Sequence, residues 1–291
     1  MTGSVADRLV RKAPNLPGPF SVLLDLLRLA AATEVFLAHL PFASTQNWRW
    51  MTYFASAGHS AVIIFFVLSG YVISWSAQRD GSVLRYGINR AARIYSVVIP
   101  AMFLCLFIDI AIPVSTQTPY QFLHPISYGI LYLTFSSEFW NLSETMFSNP
   151  AFWSLSYEVW YYILFAVWYF GRPRVRWLML AGALALVGPK IGLLFPLWLL
   201  GAFVYYLHKR VSMGTWAARG LMIAGILSGC ALQKYLPDYP LNPIFGRNLH
   251  YSRSGLNDLA IALSVGVTIF AGYYARLEFL RSIARDRKSV V

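Results

Sequence analysis

The run LLDLLRLAAATEVFLAHL, residues Leu23–Leu40, is where the architecture of this chain can first be argued. It is apolar enough to enter a bilayer, yet it carries Asp25, Arg28, Glu34 and His39. Ionisable groups at membrane depth are costly and persist where they pair or face a cavity. On a helix turning about 100° per residue, Arg28 and His39 fall within roughly 20° of each other, on the order of 16 Å apart along one face. Asp25 stands three residues before Arg28, a spacing at which helical side chains meet. Glu34 falls well off that face. A single snorkelling Arg or interfacial His needs no chemistry to explain it. Three such groups on one stripe favour a functional reading.

The rest of the chain agrees with a membrane helix. It has 291 residues, 57% hydrophobic and only 12% charged, against about 25% charged in a soluble domain. The apolar residues come in long blocks, which predicts an all-α, polytopic transmembrane bundle of about eight or nine spanning helices. Spans are expected at Ser21–Leu40, Ala55–Ala77, Ile94–Val114, Trp153–Phe170, Arg176–Val187, Ile191–Leu207, Gly220–Leu232 and Leu256–Tyr274. Arg176–Val187 and Gly220–Leu232 are shorter than ideal and would extend outward or sit in a thinned bilayer. Residues 1–20 read as a cytoplasmic tail without a cleavable signal, 21–275 as the transmembrane domain, and 276–291 as a basic cytoplasmic tail.

The net charge of +12 comes from basic residues lying between apolar blocks. Nucleic acid is therefore a poor explanation, and the positive-inside rule a good one. Lys and Arg crowd the N-tail, the Arg79–Arg93 connection, the segments after Phe170 and Leu207, and the C-tail, which places those sides in the cytoplasm. This works if Pro113–Asn149 begins and ends outside, with its apolar part, Pro125–Phe135, re-entrant or interfacial. The alternative is that it spans. Cys105 and Cys230 suggest neither a disulfide nor a metal site. Arg281–Val291 resembles a basic loop leading into a further helix, so the chain reads as shortened at that end.

Three more stretches carry polar chemistry. FFVLSGY, Phe65–Tyr71, has Ser69-Gly70, which would let a helix or a ligand approach the backbone closely; helix packing alone would explain it. RYGINRAARIY, Arg85–Tyr95, presents Arg90 and Arg93 three apart, suited to phosphate, although topology control explains such charge equally well. FWSLSYEVWYY, Phe152–Tyr162, sets Glu158 one to two turns into a helix among Trp153, Tyr157, Trp160 and Tyr161, where a carboxylate is partly desolvated and suited to acid–base work. Asp109, Asp258, His124, His208 and His250 stand near helix ends or in loops and read as solvated or interfacial. The sequence has no Gly-x-Ser-x-Gly, His-Glu-x-x-His or P-loop lysine motif.

Taken together, these stretches resemble the acyltransferase-3 family of integral membrane acyltransferases, which includes O-acetyltransferases of lipopolysaccharide O-antigen, exopolysaccharide and Nod factor. LLDLLRLAAATEVFLAH is similar to its first-helix pattern, FFVLSGY to its Phe-Phe-x-x-Ser-Gly element, NRAARIY to its Arg-x-x-Arg-Ile-Tyr segment, and FWSLSYE to its Trp-Ser-Leu-x-x-Glu segment. They occur in the family's order over Ser21–Phe170. Leu26 stands where the family has Gly, and Tyr157 precedes a single Glu158 where members often have an acidic pair. The family usually has about ten spanning segments.

The resemblance implies an acyl group, expected to be acetyl, passing from cytoplasmic acyl-CoA to a hydroxyl of a cell-surface or lipid-linked carbohydrate. Acyl-CoA would be a co-substrate, with no permanently bound cofactor or metal. His39 would be general base or transient acyl carrier, and Glu158 would orient it or assist proton transfer. Arg28, held by Asp25, would stabilise negative charge or line the donor path. Arg90 and Arg93, with Ser69, would hold the donor, and Trp153, Ser154 and Tyr95 would shape the pocket. The expected location is the inner membrane, with a cytoplasmic N-terminus. A transporter with an intramembrane proton relay through Asp25, Arg28 and Glu158 is the competing class, and an inactive shortened homologue a third.

Overall fold

The computed structural model describes residues 16–43, 49–111, 124–237, 239–241 and 247–286. Most of these are helical, with no strand among them. In chain order the helices are α1 (Gly18–Ala43), α2 (Arg49–Asp80), α3 (Val83–Ala111), α4 (Pro125–Leu133), α5 (Phe152–Phe170), α6 (Arg176–Val187), α7 (Pro189–Leu207), α8 (Thr215–Tyr235), α9 (Gly255–Tyr274) and α10 (Arg281–Asp286). Each expected span corresponds to one helix. The short expectation at Gly220–Leu232 extends outward at both ends to the 21 residues of α8.

Five of the described helices are long and apolar enough to cross a bilayer: α2 over Ala57–Asp80, then α3, α7, α8 and α9. α1, with Asp25, Arg28 and Glu34 inside it, and α5, rich in Tyr and Trp, have the length of spans but are not among these five. α4 has nine residues, about 14 Å of helix, too short for a hydrocarbon core of about 30 Å. That is the size of a re-entrant or interfacial piece, and residues 112–123 before it lie outside the described set.

Gly188 and Pro189 explain why the apolar run from Arg176 to Leu207 becomes two helices. Gly188 has φ +83°, and a β-carbon there would lie 2.9 Å from the Trp140 backbone nitrogen. Only glycine suits both demands. Pro189 then opens α7, where a missing N–H costs nothing.

The chain forms two compact units. The first comprises Met1–Gln78, Pro196–Ile244 and Arg253–Val291; the second comprises Arg79–Phe195 and Phe245–Ser252. In the first, α2 and α7 meet through glycine on both sides. A β-carbon at Gly70 would lie 1.9 Å from the Trp198 carbonyl oxygen, and one at Gly201 1.9 Å from that of Val67. α8 and α9 pack in the same way, with a β-carbon at Gly225 only 2.5 Å from Thr268 Oγ1. Small residues substitute for the hydrophobic drive that lipid cannot supply between membrane helices.

His208, just past α7, corrects the expectation of a solvated side chain. It packs among Phe20, Tyr71, Phe270 and Tyr273, stacked on Tyr273 at 4.3 Å between ring centroids. Its Nε2–H donates to the Phe270 carbonyl at 3.1 Å, so Nδ1 accepts from the Tyr71 hydroxyl at 3.0 Å. Burial lowers its pKa to about 4. The neutral ring fits this aromatic cluster better than a cation would.

The second unit is held by a buried ion pair that the sequence did not announce. Lys190 Nζ lies 2.9 Å from Glu138 Oε2, with the side chains 1% and 2% exposed. Lys190 also donates to Ser143 Oγ at 2.7 Å and to the Leu142 carbonyl. Burial pushes the Glu138 carboxyl up, and the neighbouring ammonium pulls it back. Such a pair must be hydrogen-bonded throughout to offset its desolvation, and here it ties the loop after α4 to the start of α7.

Candidate active site

In the first unit the expected Asp25–Arg28 contact on α1 forms. Arg28 Nη1 meets Asp25 Oδ1 at 2.9 Å, both side chains about one-third exposed. His39, near the C-terminal end of α1, places Nδ1 2.7 Å from the Val35 carbonyl oxygen. A carbonyl only accepts, so Nδ1 carries the proton and Nε2 presents a lone pair. Glu34, off the stripe, accepts from Gln233 of α8.

Ser69 lies within the same unit but at the α2–α7 contact, where its hydroxyl accepts from Trp198 Nε1 at 3.3 Å. Helix packing, the plainer of the two sequence readings, accounts for Ser69-Gly70.

The second unit gathers another set. A cavity of about 450 Å³ opens between α3 and α5, lined by Tyr86, Arg90, Ile94 and Tyr95 on one side and Val159, Tyr162, Ile163 and Ala166 on the other. Its walls are mostly apolar, with the Arg90 guanidinium among the few polar groups. Arg90 pairs with Asp80 at 3.1 Å and lies over the Tyr86 ring at 5.1 Å. Arg93 is exposed. Tyr95 donates to the Leu133 carbonyl at 2.7 Å.

Glu158 is half-buried and accepts from the hydroxyl of Tyr162, a residue of the cavity wall. The first turns of α5 are anchored. Trp153 stacks face to face on Tyr251 at 4.0 Å, and Ser154 donates back to the Ala151 carbonyl at 3.1 Å. The Tyr157 hydroxyl meets Ser252 Oγ, which itself donates to the Lys190 carbonyl. So Arg90 and Tyr95 border one cavity and Glu158 adjoins it through Tyr162, while Asp25, Arg28, His39 and Ser69 belong to the other unit.

A comparison of sequences decides what these two sets are parts of. The profile of the acyltransferase domain matches residues 22–285, nearly the whole chain. The chain belongs to the acyltransferase-3 family. It is 27% identical over 273 residues to an O-acetyl transferase of Shigella phage Sf6, covering 86% of this chain and 79% of that one. It is 31% identical over 169 residues to acyltransferase MdmB of Streptomyces mycarofaciens, covering 56% of this chain and 40% of that one. With the peptidoglycan O-acetyltransferase OatA of Listeria monocytogenes it shares 25% identity over 273 residues, 86% of this chain and 40% of OatA. No solved structure matches it. The chain is thus a multi-pass membrane acyltransferase, spanning well under half of two of these relatives.

This acyltransferase also holds a pair that sequence reasoning missed. Asp258, expected to be solvated, is 1% exposed in the first turn of α9. Its two carboxylate oxygens lie 3.0 and 3.1 Å from His59 Nε2 of α2. The carboxylate is buried, and the imidazole supplies a donor to it. The signal available in the sequence was His59 itself, an imidazole inside an apolar block.

Proposed function

We propose that this acyltransferase moves an acetyl group from cytoplasmic acetyl-CoA to a hydroxyl of a cell-surface or lipid-linked carbohydrate. The observation that carries the reading is His39: an imidazole oriented by its Nδ1–H on the Val35 carbonyl, on the helix that carries the Arg28–Asp25 pair. Such an imidazole takes a hydroxyl proton or carries an acyl group. The names of two relatives, an O-acetyl transferase and a peptidoglycan O-acetyltransferase, support acetyl transfer to carbohydrate oxygen.

On the donor side, Arg93 is exposed to meet the phosphates of the donor by charge-assisted hydrogen bonds, beside Arg90 at the cavity. That cavity falls within the usual range for small-molecule sites, about 300–1,000 Å³. Glu158 assists proton transfer, and Arg28 stabilises negative charge as it develops. The clustering of Lys and Arg supports an inner-membrane location with the N-terminus in the cytoplasm. His39→Ala and Arg93→Ala, expressed in a host lacking its own enzyme, test the assignment. Both are expected to lose most glycan acetylation, and full acetylation in both overturns it.

A further inference from the structure

The cavity between α3 and α5 is an elongated trough. On α3 its wall runs from Val83 to Tyr95, about 18 Å of helix. One end is bordered by Tyr95, Phe135 and Val159, the other by Val83, Phe170, Gly171 and Met179. Small residues make the space: Ala91 and Ala166 lie on the wall, and a β-carbon at Gly87 would meet nothing within 4 Å. The polar side chains of the wall turn to protein partners. Tyr86 donates to the Tyr162 carbonyl at 3.2 Å, Tyr95 to the Leu133 carbonyl, Tyr162 to Glu158 and Arg90 to Asp80. An occupant therefore meets mainly hydrocarbon and ring faces. Phosphates or amides enclosed there would lose water without gaining partners, whereas an apolar chain is at home. Arg93, the residue proposed for the donor's phosphates, is not part of this wall.

The Gly171 end of the trough carries positive charge. Arg176 and Met179 are three apart on α6, so they share a face, and Met179 lines the trough. A β-carbon at Gly171 would lie 3.3 Å from Arg176 Cβ. The Arg176 Nε is buried with no hydrogen-bond partner among the described residues, and a buried donor in that state calls for an acceptor. Arg172 and Arg174 stand exposed in the same turn. The trough also opens sideways. Val83 and Ile163 belong to its wall, yet they are 57% and 39% exposed, and Leu84 and Ile88 beside them on α3 are exposed too. An opening on the flank of a helix of spanning length faces lipid.

We infer that the trough binds one chain of an anionic phospholipid, drawn from the leaflet on the arginine-rich side, with the lipid phosphate at Arg176. The length fits, since one leaflet supplies about half of a hydrocarbon core of about 30 Å. The charge fits as well, because a guanidinium takes a phosphate through charge-assisted hydrogen bonds. Bulk lipid is as apolar as the trough, so the chain alone selects nothing; the headgroup decides which lipid stays. This site is independent of which carbohydrate accepts the acyl group.

Photolabelling of the full chain tests this. The protein, in bilayers of phosphatidylcholine, receives a trace of phosphatidylglycerol carrying a photoreactive group in its chain, and peptide mass spectrometry locates the label. Phosphatidylcholine with the same photoreactive chain is the control. Label from phosphatidylglycerol is expected on α3 between Val83 and Tyr95 and on α5 between Val159 and Val167, about fivefold above the control, the worth of one cation near an anionic headgroup. Arg176→Gln is expected to bring the two lipids level. Gly87→Leu, which puts a side chain into the open space, is expected to remove the label of both from these stretches. Equal labelling by the two lipids in the wild type marks ordinary boundary lipid and overturns the inference. So does a phosphatidylglycerol label that neither Arg176→Gln nor Gly87→Leu reduces. Stronger labelling of the same stretches by a photoreactive long-chain acyl-CoA assigns the trough to a donor chain and overturns it too.

Discussion

Arg93 and Arg90 stand in one motif but in two environments. Both belong to the Arg-x-x-Arg segment, but Asp80 already holds Arg90 while Arg93 is exposed. Arg93→Ala is therefore expected to raise the KM for acetyl-CoA about tenfold with little change in kcat, the pattern of lost ground-state binding; steady-state kinetics on vesicles check it. His208 makes a different prediction. Its folded pKa near 4 lies below the unfolded value near 6.5. Between those values the unfolded chain binds more protons, so this contribution to stability is complete above about pH 6.5 and is lost as pH falls toward 4. Thermal unfolding in detergent should show a fall in Tm across that window, and His208→Gln should flatten it. Nothing in the residue order marks this site, because a His after an apolar run looks like an interfacial residue. Only the fold shows Phe20, Tyr71, Phe270 and Tyr273 closing on it from three separate stretches.

Elements were more legible than their contacts. Apolar block length located the helices, and the break expected between Val187 and Ile191 falls at Gly188, whose φ is +83°. Which helices meet was not legible, because glycine packing and buried pairs join residues far apart in the chain: Gly70 with Trp198, Lys190 with Glu138, His59 with Asp258. Two predictions belong here. Gly70→Ala sets a β-carbon against the Trp198 carbonyl, with no flexible side chain to yield, and is expected to cost on the order of 3 kcal/mol. Lys190→Ala leaves Glu138 buried without its cation and is expected to cost about 3–5 kcal/mol, whereas Lys190→Met with Glu138→Leu recovers most of that. Denaturation of the purified protein in detergent measures each, and equal loss in the single and double changes would refute the ion-pair account.

For the whole molecule, the sequence motifs and the match over residues 22–285 agree on a membrane acyltransferase. Part of the candidate set was legible as residue types and spacing: Arg28 pairs with Asp25 three residues before it, and His39 bonds the Val35 carbonyl on the same helix. The carboxylate behind a second imidazole was not, since Asp258 comes 199 residues after His59. The account stands on His39 acting in acyl transfer, and the most direct test uses inside-out vesicles from a host lacking its own enzyme, supplied with radiolabelled acetyl-CoA. Labelled carbohydrate is expected with the wild-type protein, and background label with His39→Ala at equal protein abundance. Wild-type labelling by His39→Ala would contradict it.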